Sequence, residues 1–361
     1  MKKRLIARIL ILGLMLTGCS WLEGSYVSVT RHQEQIAGGH TGKISASNYY
    51  ELRQAMTELV EAGTENTVIH IPEYPQDLVE TGMEAAVHFV RELLPLGAYA
   101  VDDVQYEIGT VVGQPAVSVT VSYIHGRSEL WKIHRVADME AARQEIHTVL
   151  EQCSDSLVLL VEDYDNADIG QMVEDFAAEN PNLVMEVPQV AAGLYPDMGA
   201  TRVLELKFTY QTSRDALRQM QTQVQRVFDS ASLYVSSDGD EGRKFAQLYT
   251  FLMERFDYTL ETSITPSYSL LCHGVGDSEA FAAAFAAMCR QAGLECQVVS
   301  GTRAGEAWFW NLIREGDAYY HVDLLQSKSA GELQKLTQEQ MQGYVWDYSA
   351  YPAAGSSATD Q

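Results

Sequence analysis

The sequence is poor in basic residues and in cysteine. Its 361 residues include 25 Lys and Arg against 49 Asp and Glu, which gives a formal net charge of -24. Because so acidic a surface repels phosphate groups, this composition argues against nucleic-acid partners and favours cationic ones such as basic peptides. The five cysteines show no C-x-x-C pairing and no histidines at zinc spacing, so we predict no metal site and no cofactor.

Long apolar runs are also scarce, and the longest covers residues 5–16. It lies between the basic string M-K-K-R and the string L-T-G-C, which ends at Cys19. A basic start, a short apolar run and small residues before a cysteine are typical of a bacterial lipoprotein signal peptide rather than of a spanning helix. We therefore expect residues 1–18 to be removed and Cys19 to carry fatty acids such as palmitate. This lipid would hold the protein on the extracytoplasmic side of the cell membrane, with residues 19–43 as a flexible tether.

Residues 44–237 resemble two copies of one small α/β unit, at residues 44–136 and 137–237. Tyr123, Arg127 and Leu130 match Tyr210, Arg214 and Leu217 at one constant offset. Each copy predicts helix, strand, helix, strand, strand. The first copy gives these elements at 47–62, 67–71, 83–94, 103–108 and 116–124, and the second at 139–152, 156–161, 169–179, 183–190 and 202–210. Chance similarity between two units of this layout is the alternative interpretation.

Two further predictions concern the link to the last domain and the acidic string at 162–168. A helix is predicted over 213–231 and a strand over 232–237. The acidic string lacks the central glycine and distal glutamate of a calcium-binding EF-hand loop. It is therefore interpreted as a strand-to-helix turn with Asp168 as the helix cap.

Three short strings between residues 271 and 325 carry the most specific pattern. G-V-G-D-S-E-A-F-A-A-A-F at 274–285 predicts a turn that leads into a helix capped at Asp277 or Ser278 and ending at Gly293. A-W-F-W-N-L at 307–312 and Y-H-V-D-L at 320–324 predict two strands separated by a polar turn. A helix N-terminus would then face two neighbouring strands.

These strings resemble the transglutaminase-like superfamily, which has a papain-like α+β fold. The resemblance implies a Cys nucleophile at the helix N-terminus, a His base on the first strand and an Asp after the second. In this sequence those three positions hold Ser278, Trp308 and Asp323. Other positions of the family pattern agree with it, namely Phe281, Ala282, Phe285, Gly293, Trp310 and Asn311.

The departure from the family pattern removes its chemistry, because an indole cannot accept a proton from a serine hydroxyl. We therefore predict a catalytically degenerate domain at residues 238–346, which binds peptide or cell-wall material without cleaving it. Trp308, Trp310, Asn311 and Asp277 are the candidate binding residues. Residues 347–361 are predicted to be a disordered tail.

Two alternatives stay open. In the first, Ser278 is the nucleophile of a hydrolase or acyltransferase whose base is a relocated His321 or His273, although no G-x-S-x-G elbow is present. In the second, the whole chain is a structural spacer of an envelope assembly. Cys272 as a displaced nucleophile is disfavoured, since it precedes the turn and lies outside the field of the helix terminus.

Overall fold

The computed structural model describes residues 44–260 and 266–355. The predicted signal peptide, Cys19 and tether lie outside the described residues. Within the part that is described, no helix combines the length and the apolar character that crossing a membrane requires.

The first unit is a three-stranded sheet covered by helices on one face. Its elements are α1 Tyr49–Glu61, β1 Asn66–His70, α2 Val79–His88 with a π-helical turn Phe89–Leu93, α3 Pro95–Ala100, β2 Val101–Val111 and β3 Gln114–Tyr123. Helix α1 begins where the Asn48 side chain accepts a hydrogen bond from Glu51 N. Strand β3 alternates buried valines with exposed residues, and these valines pack with the apolar sides of α1 and α2.

The second unit has four strands in the order β4-β5-β7-β6. After a short helix α4 Arg127–Leu130, its elements are β4 His134–Asp138, α5 Met139–Glu151, β5 Ser156–Asp163, α6 Ile169–Glu179, β6 Gln189–Tyr195 and β7 Arg202–Thr209. Asp168 caps α6, as the sequence predicts. The strand predicted over 183–190 is misplaced, because Leu183 and Val184 close turns onto Asn180 and the strand begins only at Gln189.

The two units share their connectivity. In each, the first strand of the predicted repeat pairs with the third, and the third pairs with the second, always antiparallel. Strand β4 runs parallel to β5, and Ser45 makes a single parallel bridge to His70 at the matching place in the first unit. Arg214 Nε donates to Gln152 O at the C-terminus of α5, while Arg127 lies against Gly63 just after α1. This likeness supports the repeat interpretation, which stays a prediction.

Among the described residues, the last region combines five α-helices with a sheet of order β12-β11-β10-β13. Its elements are α7 Arg214–Tyr234, α8 Glu241–Arg255, β8 Asp257–Tyr258, α9 Pro266–His273, β9 Val275–Gly276, α10 Ser278–Gln291, β10 Cys296–Arg303, β11 Glu306–Glu315, β12 Ala318–Val322, α11 Leu324–Ala330 and β13 Tyr344–Trp346. Helix α10 is enclosed by β10 and β11 on one side and by α7, α8 and α9 on others. Five of its alanines between residues 280 and 287 are buried, and because their side chains are small, these neighbours can approach closely.

Two local predictions in this region are wrong. No strand forms over 232–237, because α7 continues to Tyr234, and its buried residues Leu217, Val224 and Phe228 pack into the core of the last region. The predicted tail is ordered as far as residue 355. It turns through the 3-10 helix Tyr348–Ala350, and Ala354 is buried in the cluster around Trp310. Residues 356–361 lie outside the described residues.

Gly301 is required where β13 meets β10. A Cβ atom at this position would lie 2.3 Å from Val345 O and 2.8 Å from a ring atom of Trp310. We expect Gly301→Ala to lower the free energy of unfolding by about 1–3 kcal/mol, because neither the backbone nor the buried indole has room to move. Denaturant unfolding measures this loss. The matched control is Gly109→Ala in β2, where nothing lies within 4 Å of the added atom; an equal loss in both variants would contradict the packing argument.

Candidate functional site

Ser278 begins helix α10, as the sequence predicts. The Asp277 side chain caps the helix by accepting from Ala280 N at 2.9 Å. Ser278 is only 7% exposed, and its hydroxyl oxygen accepts a hydrogen bond from Phe309 N of β11 at 3.3 Å. The hydroxyl therefore lies where the positive end of the helix dipole would stabilise an anion. Its observed partner is a backbone donor, and a donor cannot take a proton from it.

Trp308 is the residue to which the sequence resemblance assigns the position of the base, and its side chain lies beside Asp323. Its Nε1 donates to Asp323 Oδ2 at 2.9 Å, which is the bond that an imidazole N–H would make in an intact triad. The Arg303 guanidinium lies 5.2 Å from the centre of the indole ring, and Tyr258 packs against the same ring at 5.8 Å. The indole is thus held between a cation, an aromatic ring and a carboxylate.

Asp323 is a buried carboxylate with several donors around it. It is 2% exposed and caps α11, with Oδ1 accepting from Leu325 N and Gln326 N at 3.0 Å each. On the other oxygen, Tyr344 Oη donates at 2.6 Å and Arg303 Nη1 lies 3.5 Å away. Burial, followed by the hydrogen bond to this carboxylate, raises the pKa of Tyr344, so the phenol remains a donor. The Asp323 carboxylate therefore caps α11 with one oxygen and connects Trp308 and Tyr344 with the other.

The two histidines considered as relocated bases make other contacts. His321 is 1% exposed; its Nδ1 accepts from Trp310 Nε1 at 3.1 Å, which leaves the proton on Nε2. That Nε2 is buried and has no hydrogen-bond partner among the described residues. Burial lowers the pKa of His321 to about 4. His273 packs edge-on against Tyr268. Within residues 44–260 and 266–355, no histidine hydrogen-bonds to Ser278, so the observed contacts do not supply that serine with a base.

Trp310 and Asn311 do not fit the binding role predicted for them. Trp310 is enclosed by Tyr344, Trp346 and His321, with ring contacts of 5.2, 5.5 and 6.2 Å. Asn311 is fully buried, and its Nδ2 donates to Ala282 O at 2.9 Å, which ties β11 to α10. Both side chains therefore stabilise the fold and are closed to a ligand from solvent. Only Trp308 and Asp277 of the four candidates are partly exposed.

A groove of about 800 Å³ lies between the second unit and the last region, and no sequence motif predicts it. Helix α6 and residues 181–187 form one wall, while α10 and β10 form the other. The groove reaches the Ser278 site through Glu279, Ala280 and Phe309. Acidic residues on α6 and regularly spaced alanines on α10 were visible in the sequence. Nothing local, however, indicated that these helices lie side by side.

Thiols and metal ligands add no further chemistry in the described residues. Cys153, Cys272, Cys289 and Cys296 are free cysteines. Burial raises the pKa of the Cys272 thiol, which makes its reactive thiolate scarcer. No cluster of three or more His, Cys, Asp or Glu side chains suited to a metal ion occurs in this part of the chain.

Comparison with known proteins identifies the class of the last region. The family model described as the transglutaminase-like superfamily matches residues 230–349. The chain therefore contains a transglutaminase-like domain, and its fold is of the α+β, papain-like class. The match begins within α7, whose buried face packs into this domain. A search of curated proteins found no match.

Three solved structures are similar to this chain at low sequence identity. The first is described as a TGase, with 8% identity, a TM-score of 0.26, and coverage of 60% of this chain and 63% of its own. A candidate cysteine protease from Cytophaga hutchinsonii has 13% identity, a TM-score of 0.25, and coverage of 44% and 70%. A candidate protease from Parabacteroides distasonis has 10% identity, a TM-score of 0.22, and coverage of 76% and 40%. The chain thus spans less than two thirds of the first and third of these proteins.

The burial of His321 makes stability depend on pH. Its pKa of about 4 in the folded protein lies below the value near 6.5 expected when unfolded, so the unfolded chain binds an extra proton between these pH values. Neutral His321 makes its full contribution to the free energy of unfolding above pH 6.5. This contribution falls by about 3 kcal/mol in all as the pH drops toward 4. We expect His321→Asn, whose oxygen can still accept from Trp310, to reduce the loss of unfolding free energy between pH 7 and pH 4.5.

Denaturant unfolding at the two pH values measures this difference. The control is His88→Asn on the exposed end of α2, which should retain the acid sensitivity of the parent chain. If both variants lost stability on acidification as steeply as the parent, His321 would not be the group responsible.

Proposed function

We propose that this protein is a lipid-anchored envelope protein whose transglutaminase-like domain binds peptide or cell-wall material without cleaving it. The observation that carries the proposal is the hydrogen bond from Trp308 Nε1 to Asp323 Oδ2 at 2.9 Å. It keeps the geometry of a triad while replacing the proton acceptor by a donor. General base catalysis requires a group that can take the nucleophile's proton, and an indole N–H cannot.

The surroundings of Ser278 support the same conclusion. Its oxygen accepts from Phe309 N, and a backbone N–H close to the hydroxyl stabilises a partial negative charge but removes no proton. A serine hydroxyl without an adjacent base is a weak nucleophile. Asp323 cannot serve in place of the base, because its oxygens are engaged by Trp308, Tyr344 and the first turn of α11.

Binding is supported by what remains open around this site. Trp308 and Phe309 are half-buried, and the groove beside Ser278 has the volume of a ligand site. A rigid sheet and a buried helix hold these side chains in fixed positions, as a recognition surface requires. The domain therefore has a shaped, partly aromatic cleft without the chemistry for bond cleavage.

The absence of a base at Ser278 is tested with a fluorophosphonate reagent, which labels serine hydroxyls that a neighbouring base activates. We expect no labelling of the parent chain at Ser278. Labelling that Ser278→Ala abolishes would contradict the proposal and would favour a serine hydrolase. Because the reagent reports the nucleophile itself, this test needs no knowledge of the ligand.

A rebuilt site gives an independent test. The variant Ser278→Cys is expected to show a thiol of nearly ordinary reactivity, since Trp308 supplies no charge that stabilises a thiolate. Combining it with Trp308→His places an imidazole against Asp323, and we expect alkylation by iodoacetamide at pH 6.5 to become about tenfold faster or more. Mass spectrometry of samples quenched at successive times measures the rate of alkylation at residue 278. The parent chain, treated in the same way, gives the background alkylation of Cys272. Equal rates in the two variants would show that the indole is not what withholds the base.

The lipid anchor is supported by the sequence around Cys19, namely the basic start, the apolar run over 5–16 and the small residues that precede the cysteine. We expect cells that express the full chain to incorporate an alkyne-labelled palmitate into it and to retain it in the membrane fraction. Cys19→Ala should abolish the label and release the protein from that fraction. The control is Cys272→Ala, which should change neither result; label retained in Cys19→Ala would contradict lipidation at this residue.

A further inference from the structure

We infer that the groove between α6 and α10 binds an extended, lysine- or arginine-rich peptide segment, which adds as a strand to the free edge of β10. This inference rests on the proposed function, because it names the chemical class of the ligand that the degenerate domain would bind. It depends on three features of the groove: its charge, its floor and its unpaired strand edge.

The groove is strongly acidic. Its acidic lining consists of Glu174, Asp175, Glu179, Glu186 and Glu279, and among the described residues Arg290 is the one basic side chain that lines it. Glu186 is buried and accepts from the main-chain N–H groups of Gln211 and Thr212, so its charge is already stabilised. The other four carboxylates are exposed, and none forms an ion pair with any residue in 44–260 or 266–355.

Arg290 offsets only one of these five negative charges. Its Nη1 donates to the main-chain oxygen of Glu179 at 2.5 Å and lies 3.4 Å from Asn180 Oδ1. This side chain of α10 therefore holds the C-terminus of α6 beside α10 and is committed to that contact. Charge complementarity then favours a ligand with several positive charges spaced along the wall formed by α6.

The floor of the groove suits long cationic side chains. Ala283 of α10 and Ala178 of α6 give it accessible apolar surface, beside the nearly buried Ala177, Ala280 and Ala286. Lysine and arginine bury their methylene stems on such apolar surface while their charged ends reach nearby carboxylates. An acidic rim around a narrow alanine floor therefore fits these side chains better than it fits a compact inorganic cation.

The free edge of β10 favours an extended peptide over a free amine, because a peptide has main-chain groups that can pair with the edge. Strand β13 pairs with β10 only at Gly301, Thr302 and Arg303, so within the described part of the chain residues 296–300 have a strand partner on the β11 side alone. Ser300 N points away from β11 and donates to Tyr351 Oη at 3.5 Å. Because main-chain groups alternate in direction along a strand, the N–H and C=O of Val298, a residue that lines the groove, point the same way as those of Ser300. An added strand would pair with these groups, as in β-augmentation.

Fluorescence anisotropy with a short labelled peptide of alternating lysine and threonine tests the inference on the full chain. We expect saturable binding that weakens with salt, and no binding of the matched peptide with glutamate in place of lysine. The double variant Glu174→Gln/Glu179→Gln should weaken binding about five- to tenfold, since it removes two exposed charge pairs.

The matched control is Glu80→Gln/Glu84→Gln on α2, which changes the net charge equally at exposed positions outside the groove. It should leave the affinity unchanged. No binding of the lysine peptide, or an equal loss in both double variants, would overturn the inference, the latter by showing only general attraction to an acidic protein. The strand contact is tested with the same peptide N-methylated at alternate residues, which cannot donate to an edge. Loss of affinity on methylation supports strand addition, and unchanged affinity overturns it.

Failure of this inference is separate from failure of the proposed function. Peptide binding reports the groove, whereas fluorophosphonate labelling and thiol alkylation report Ser278 and Trp308. A chain that binds no lysine peptide and also resists the reagent would keep its degenerate site and lose only the proposed class of ligand.

Discussion

A buried negative charge organises the transglutaminase-like domain. The Asp323 carboxylate has left water almost completely, and burying an unpaired charge costs several kcal/mol. It is stabilised by donors from four directions: the first turn of α11, Trp308 on β11, Tyr344 on β13 and Arg303 on β10. Because each donor belongs to a different element, satisfying this one carboxylate fixes the relative positions of all four. Three neighbouring strands, β11, β10 and β13, and the start of α11 are therefore connected through one carboxylate.

The same arrangement underlies the function that we propose for this domain. In an intact triad the Asp orients a base, whereas Asp323 accepts a hydrogen bond from an indole N–H. In the proposed degenerate site, an indole in place of an imidazole keeps the donor that Asp323 needs and lacks the acceptor that a nucleophile needs. The carboxylate has an N–H donor with either ring, imidazole or indole, so the fold does not depend on the reaction.

The two α/β units are alike in connectivity but differ in individual side-chain contacts. They share strand order, and an arginine at the start of α4 or α7 lies near the end of the preceding unit's first helix. Their matching tyrosines differ, however. Tyr123 Oη donates to Thr64 O at 3.0 Å, while the Tyr210 hydroxyl is buried with no hydrogen-bond partner among the described residues. Helix α7 also leaves the second unit and packs into the next domain, which gives the two units different neighbours.

Local sequence determined the elements whose causes are local. The cap at Asp277, the alanine-rich body of α10 and the aromatic and β-branched strands β11 and β12 follow from hydrogen bonds and residue preferences within a few residues. The contact between Trp308 and Asp323 joins two positions that the resemblance to the family had placed together, since a family pattern records which distant positions meet. Tertiary structure alone decided that α7 runs on to Tyr234, that Ala354 is buried beside Trp310, and that Trp310 and Asn311 are closed to ligands. It also decided that α6 lies along α10 and creates the acidic groove. These features depend on contacts between residues far apart in the chain, and neither propensity nor periodicity carries information about such contacts.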